Sequence, residues 1–69
     1  MNRIPVTSST ISSVYYDQRT QTLEVEFRSG AIYQYFDVPQ SVYDAFMSAG
    51  SKGVFLNSNI KGVYRFARL

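Results

Sequence analysis

The stretch Leu23-Glu24-Val25-Glu26-Phe27-Arg28-Ser29-Gly30-Ala31-Ile32-Tyr33-Gln34-Tyr35-Phe36-Asp37-Val38-Pro39 decides the fold. Its first part alternates. Leu23, Val25 and Phe27 share one face, and Glu24, Glu26 and Arg28 share the other, the period-two pattern of a half-buried strand. Ser29-Gly30 supplies the permissive backbone of a tight hairpin turn. Ala31 to Val38 then returns as a second strand with aromatic residues on both faces. A two-residue loop pairs Phe27 with Ile32, Glu26 with Tyr33 and Glu24 with Tyr35. In that register Ile32 and Phe36 join the core face with Gln34 as a polar member, and the two tyrosines lie across from the two glutamates; a longer loop would change these partners. Val38-Pro39 stops the strand, because proline fixes its own φ and biases the preceding residue towards extended backbone.

Upstream, Thr10 to Asp17 is rich in β-formers (Ile11, Val14, Tyr15, Tyr16), and the polar run 17–21 is a turn. Residues 1–9 lack periodicity and form a loosely ordered lead-in; residues 10–69 make a single domain. Downstream, Val42, Tyr43, Phe46 and Met47 recur with helical spacing within Gln40 to Ala49. Gly50 is placed for a left-handed cap to that helix. Ser51 is a good N-cap for a second, short helix, whose buried face begins with Val54, Phe55 and Leu56. Val63 to Leu69 returns to strand-like sequence. The order β-β-β-α-α-β predicts an α+β domain: a small antiparallel sheet of three to four strands packed against two short helices.

Composition narrows the chemistry. The 69 residues include neither cysteine nor histidine. Disulfides, thiolate metal sites and the usual nucleophile–base pairs are therefore missing, and neither enzymatic activity, a cofactor, a metal nor a small-molecule substrate is expected. Five Phe and six Tyr must supply much of the core. The net charge of +2 is a weak basic bias. No apolar run approaches the roughly 20 residues that span a bilayer, and the N-terminus lacks the apolar stretch of a signal peptide, so a cytoplasmic protein without a membrane partner is expected.

Certain residues fall in a recognisable order: Arg28-Ser29-Gly30, Tyr33-Gln34-Tyr35 ahead of Val38-Pro39, Ser51-Lys52-Gly53, then Asn57, Ile60 and Lys61. From about Ser8 to Leu69 the chain resembles the KTSC domain, named for the C-terminal extension of certain lysyl-tRNA synthetases. The resemblance implies a small domain that occurs both alone and as a synthetase appendage, with this chain similar to the stand-alone form. It assigns no role to Tyr33, Tyr35, Ser51, Lys52 or Gly53. RNA binding is suggested only by the synthetase context.

Three groups of residues are candidates for binding. Tyr33 and Tyr35 can stack unpaired bases, although Glu24 and Glu26 opposite them would repel phosphates; the plain alternative is a role in the sheet or under the helices. Ser51-Lys52-Gly53 can hold an anion at a helix N-terminus, against simple capping by Ser51. Lys61, Arg65 and Arg68, interleaved with Tyr64 and Phe66, suit a single-stranded nucleic acid, against a solvated edge guarded by charge. Two functions follow: an RNA-binding module using Lys52, Lys61, Arg65, Arg68, Tyr33 and Tyr35, or a protein-interaction module or homodimer using an aromatic sheet face or edge.

Overall fold

The computed structural model describes residues 3–69. Five strands form one antiparallel sheet in sequential order: β1 (Ile4–Pro5), β2 (Ile11–Asp17), β3 (Thr22–Phe27), β4 (Ile32–Tyr35) and β5 (Phe66–Arg68). Between β4 and β5 lie helix α1 (Gln40–Ser48), the single turn α2 (Lys52–Phe55) and a π-helical turn, Leu56–Ile60. The α+β class and the β-β-β-α-α-β core are as expected. The added strand is β1, whose two residues pair with Val14 and Ser13. Met1 and Asn2 of the lead-in lie outside the described residues.

The central hairpin differs from its expected register by one residue. The loop has three residues, Arg28-Ser29-Gly30. The Gly30 N–H donates to Phe27 O (2.9 Å) and the Phe27 N–H to Ala31 O (2.8 Å). Gly30 sits at φ 96°, the left-handed position of a type I turn with a G1 bulge. The extra residue pairs Leu23 with Tyr35, Val25 with Tyr33, Glu24 with Gln34 and Glu26 with Ile32. A one-residue shift exchanges the faces of β4. Tyr33 and Tyr35 therefore join Leu23 and Val25, whereas Ile32 and Gln34 face the same side as Glu24 and Glu26.

Leu23, Val25, Tyr35, Ile11 and Val14 of the sheet bury against Val38, Phe46, Leu56 and Ile60. Each buried side chain of this size contributes about 1.5–3 kcal/mol of transfer free energy. Phe46 anchors α1, with Val42, Tyr43 and Met47 half-buried beside it. Tyr43 stacks on Tyr16 with ring centroids 4.4 Å apart, and the Tyr16 hydroxyl donates to Val38 O at 2.6 Å. These contacts fix the strand-to-helix corner. Helix α1 ends without the left-handed Gly50 cap: Ala49 is extended and its N–H donates to Phe46 O. The second helical segment buries Leu56 and Ile60, while Val54 is 63% exposed, contrary to the expected face. The Lys61 N–H reaches back to Leu56 O (2.8 Å), the wider π-type closure.

Gly30→Ala is expected to destabilise the domain by about 1–2 kcal/mol in denaturant unfolding, because a Cβ is strained at positive φ. Gly50→Ala, with open space around a new Cβ and no positive φ, should be neutral or stabilising by up to about 1 kcal/mol.

Candidate functional site

The register divides the Tyr33-Gln34-Tyr35 triplet. Tyr35 passes beneath the helical layer and is 2% exposed. Tyr33, nearer the turn, is half-buried. Phe27 packs edge-on to it at 5.6 Å, and the Arg68 guanidinium lies over its ring at 5.8 Å. Tyr35 is thus a core residue, and of the two only Tyr33, on which Tyr35 stacks at 6.4 Å, reaches the surface.

At the turn end of the sheet the helical layer stops short and leaves an open groove. One part, about 490 Å³, has Phe27, Tyr33 and Leu56 along its floor and Lys61 and Arg68 at its rim. The adjoining part, about 510 Å³, runs between the 7–10 loop and the start of α2 and is more polar. Ser9, Thr10, Arg28 and Asn57 border both parts. The loop is held in place by Arg28, whose N–H donates to Thr10 O (2.9 Å) and whose Nε donates to Ser8 O (2.7 Å). Gly53 leaves the α2 wall bare where it passes Thr10; a Cβ there would make ordinary contact with Thr10 Oγ1 at 3.5 Å.

Charge is segregated between this groove and the rest of the surface. Among the described residues, Arg3 pairs with Glu24, Arg19 with Asp17 and Arg65 with Asp37. The other four cations, Arg28, Lys52, Lys61 and Arg68, pair with no carboxylate, and all four border the groove. None of the five acidic side chains borders it. Glu26 instead accepts from Ser13 Oγ (3.0 Å), and Asp44 accepts from Gln40 (2.9 Å). The expected opposition of Glu24 and Glu26 to the tyrosines disappears with the register, because both carboxylates lie on the far face of the sheet.

The structure brings Ser51, Lys52, Gly53, Lys61, Arg68, Tyr33 and Tyr35 to the two parts of this groove. It places Arg65 elsewhere: its guanidinium pairs with Asp37 at 3.0 Å and lies over Phe36 at 5.7 Å. Ser51 caps α2, its Oγ accepting from the Val54 N–H at 3.3 Å. Lys52 Nζ donates to Ala49 O at 3.4 Å, so its charge also complements the end of α1. Sequence reasoning missed Arg28 as a site residue. Its position in the hairpin turn was visible, but the loop that it pins was not. Among the described residues there is no cluster of three or more His, Cys, Asp or Glu able to hold a metal, and no helix is long and apolar enough to cross a membrane.

The KTSC domain model matches residues 7–64. A crystal structure of a KTSC domain protein from Yersinia pestis superposes with a TM-score of 0.95 at 43% identity, covering 99% of this chain and 96% of that one. An uncharacterized protein of Stutzerimonas stutzeri is 43% identical over 70 residues, spanning 100% of this chain and 99% of its own length. A lysine–tRNA ligase of Nostoc punctiforme is 48% identical over 61 residues, 88% of this chain. The match spans 11% of the ligase's length. The chain belongs to the KTSC domain family.

Burial raises the pKa of Tyr35 above 10.0, with Tyr33 adding to the shift; burial and then Asp44 do the same for Tyr43, and Tyr16 is raised by burial, Asp44 and Asp17. A raised phenol pKa means the native state holds its proton more tightly than the unfolded chain. The associated stability is complete below pH 10 and is lost as pH climbs through the native pKa values. Ultraviolet titration should show these three phenols ionising late, with unfolding free energy declining above about pH 10, and Tyr35→Phe should reduce the decline.

Proposed function

We propose that the chain is a small, non-enzymatic module that binds the phosphate backbone of RNA in the groove between the hairpin turn and α2. The observation that supports this most is the charge arrangement. Among the described residues, every Lys or Arg without a carboxylate partner borders one groove, and no acidic side chain does. Phosphate contacts supply most sequence-independent affinity, and Lys and Arg supply those contacts. The small net charge conceals this, because three of the seven cations are neutralised locally. RNA is favoured over other polyanions by three of the relatives that carry this domain, which are named lysine–tRNA ligase. A cytoplasmic setting accords with that partner.

A second reading has one observation in its favour. Val63, Phe66 and Leu69 are 64%, 58% and 65% exposed in and around the edge strand β5, where a second copy can pair. Arg68 on the same segment, which has no carboxylate partner among the described residues, opposes it by like-charge repulsion. Sedimentation at millimolar concentration should return a monomer mass; a dimer would favour the edge-pairing reading.

Binding to single-stranded RNA should weaken steeply with salt. Each neutralised phosphate contributes about −0.7 to the slope of log K against log salt, so four cations set a limit near −3. Lys61→Ala should make the slope shallower by about 0.7, whereas Arg65→Ala, outside the groove, should leave it unchanged. Absence of binding at low salt, or equal loss in both variants, would overturn the proposal.

A further inference from the structure

A groove that read phosphates alone would need cations and polar groups but no apolar floor. This one has such a floor at one end. Phe27, Tyr33 and Leu56 line the roughly 490 Å³ part, a volume within the usual range for small-molecule clefts. Tyr33 is held there by Phe27, whose ring stands at 88° to it, and by Phe66 at 5.7 Å. The Arg68 guanidinium lies over the Tyr33 ring at 5.8 Å and Tyr35 stacks on the same ring at 6.4 Å, so the flat, polarisable surface at this spot is that of Arg68 held on Tyr33. Among the described residues, the Tyr33 hydroxyl and the Asn57 carboxamide have no hydrogen-bond partner, and both border this part of the groove. They are available to the edge of a base. Arg28, which borders both parts, and Lys52 in the polar part place phosphate-binding charge beside the apolar floor.

Resting on the RNA-binding reading, we infer that the apolar end of the groove is a slot for one unpaired nucleobase packed against Tyr33 and Arg68, so that the module selects single strands over duplex. A duplex keeps its bases stacked and offers only phosphates and groove edges, which the polar half can bind but the apolar floor cannot use. A single strand can turn one base into the slot while its neighbouring phosphates meet Arg28, Lys52 and Lys61. Stacking on an aromatic ring is sequence-tolerant, because every base presents a π-face. Single-strandedness, not a base sequence, is therefore what the site detects.

The test compares three ligands of matched length with the intact chain: a single-stranded oligouridylate, the same strand with abasic positions, and an RNA duplex. The base-bearing strand should bind roughly tenfold tighter than the abasic strand, with the same salt slope, and tighter than the duplex. Tyr33→Leu, which keeps apolar volume but removes the ring, should shrink the difference between base-bearing and abasic strands to less than about threefold. Equal affinity for abasic and base-bearing strands would overturn the slot while leaving backbone binding in place, and so would a duplex that binds as tightly as the single strand. Failure of all three ligands to bind would overturn the RNA-binding reading itself. The comparison on the unaltered chain remains decisive if Tyr33→Leu fails to fold.

Discussion

The structure depends on the three-residue turn that Gly30 closes. With no Cβ, Gly30 reaches a left-handed φ of 96°, and the turn takes one residue more than the tightest hairpin would. That one residue decides which side of β4 meets the helices. It sends Tyr35 into the core beneath Phe46, Leu56 and Ile60, leaves Tyr33 at the boundary, and turns Gln34 outward beside Glu24. The opposite register would bury Gln34 and expose both tyrosines. Period-two geometry allows no intermediate arrangement, so the core and the groove are set by the same turn.

The rest of the molecule serves the same division. One face of the sheet carries Arg3, Ser13, Glu24 and Glu26, whose polar groups satisfy one another. The other face is covered by helices from the Tyr35 end and left open towards the turn. A chain this short covers only part of its sheet, since α2 is a single turn and the π-helical turn after it spends its contacts on Leu56 and Ile60. The uncovered end is where the unpartnered cations gather. Arg28 and Lys52 combine structural contacts with unpaired charge there. Arg28 pins the 7–10 loop, Lys52 complements the end of α1, and each also borders the groove.

Much of this was legible in the sequence. The alternation of Leu23, Val25 and Phe27 marked the half-buried strand, and the spacing of Val42, Tyr43, Phe46 and Met47 marked α1. The residue order around Tyr33, Val38-Pro39 and Ser51-Lys52-Gly53 identified the family. The hairpin register was not legible, because Ser29-Gly30 suits a two-residue turn as well as the last positions of a three-residue one, and the difference lies in backbone dihedrals. Strand β1 was missed because Ile4-Pro5 is too short to show a period, and its pairing comes entirely from β2. Lys52, Lys61 and Arg68 were visible as basic residues, but their convergence with Arg28 was not, since 40 positions separate Arg28 from Arg68 and only the β4–β5 pairing and the turn bring both to one groove. Arg65 illustrates the reverse: its charge counts in the sequence and is neutralised by Asp37 in space.

The central claim is that the turn-end groove, and not the acidic face of the sheet, is where this domain meets its ligand. Amide chemical-shift mapping during titration with a short single-stranded RNA tests it most directly. The account predicts that the largest shifts cluster at Thr10, Arg28, Tyr33, Lys52, Asn57, Lys61 and Arg68, with Ser13, Glu24, Glu26 and Gln34 unmoved. Shifts centred on the Glu24–Gln34 face, or spread evenly over the surface, would contradict it.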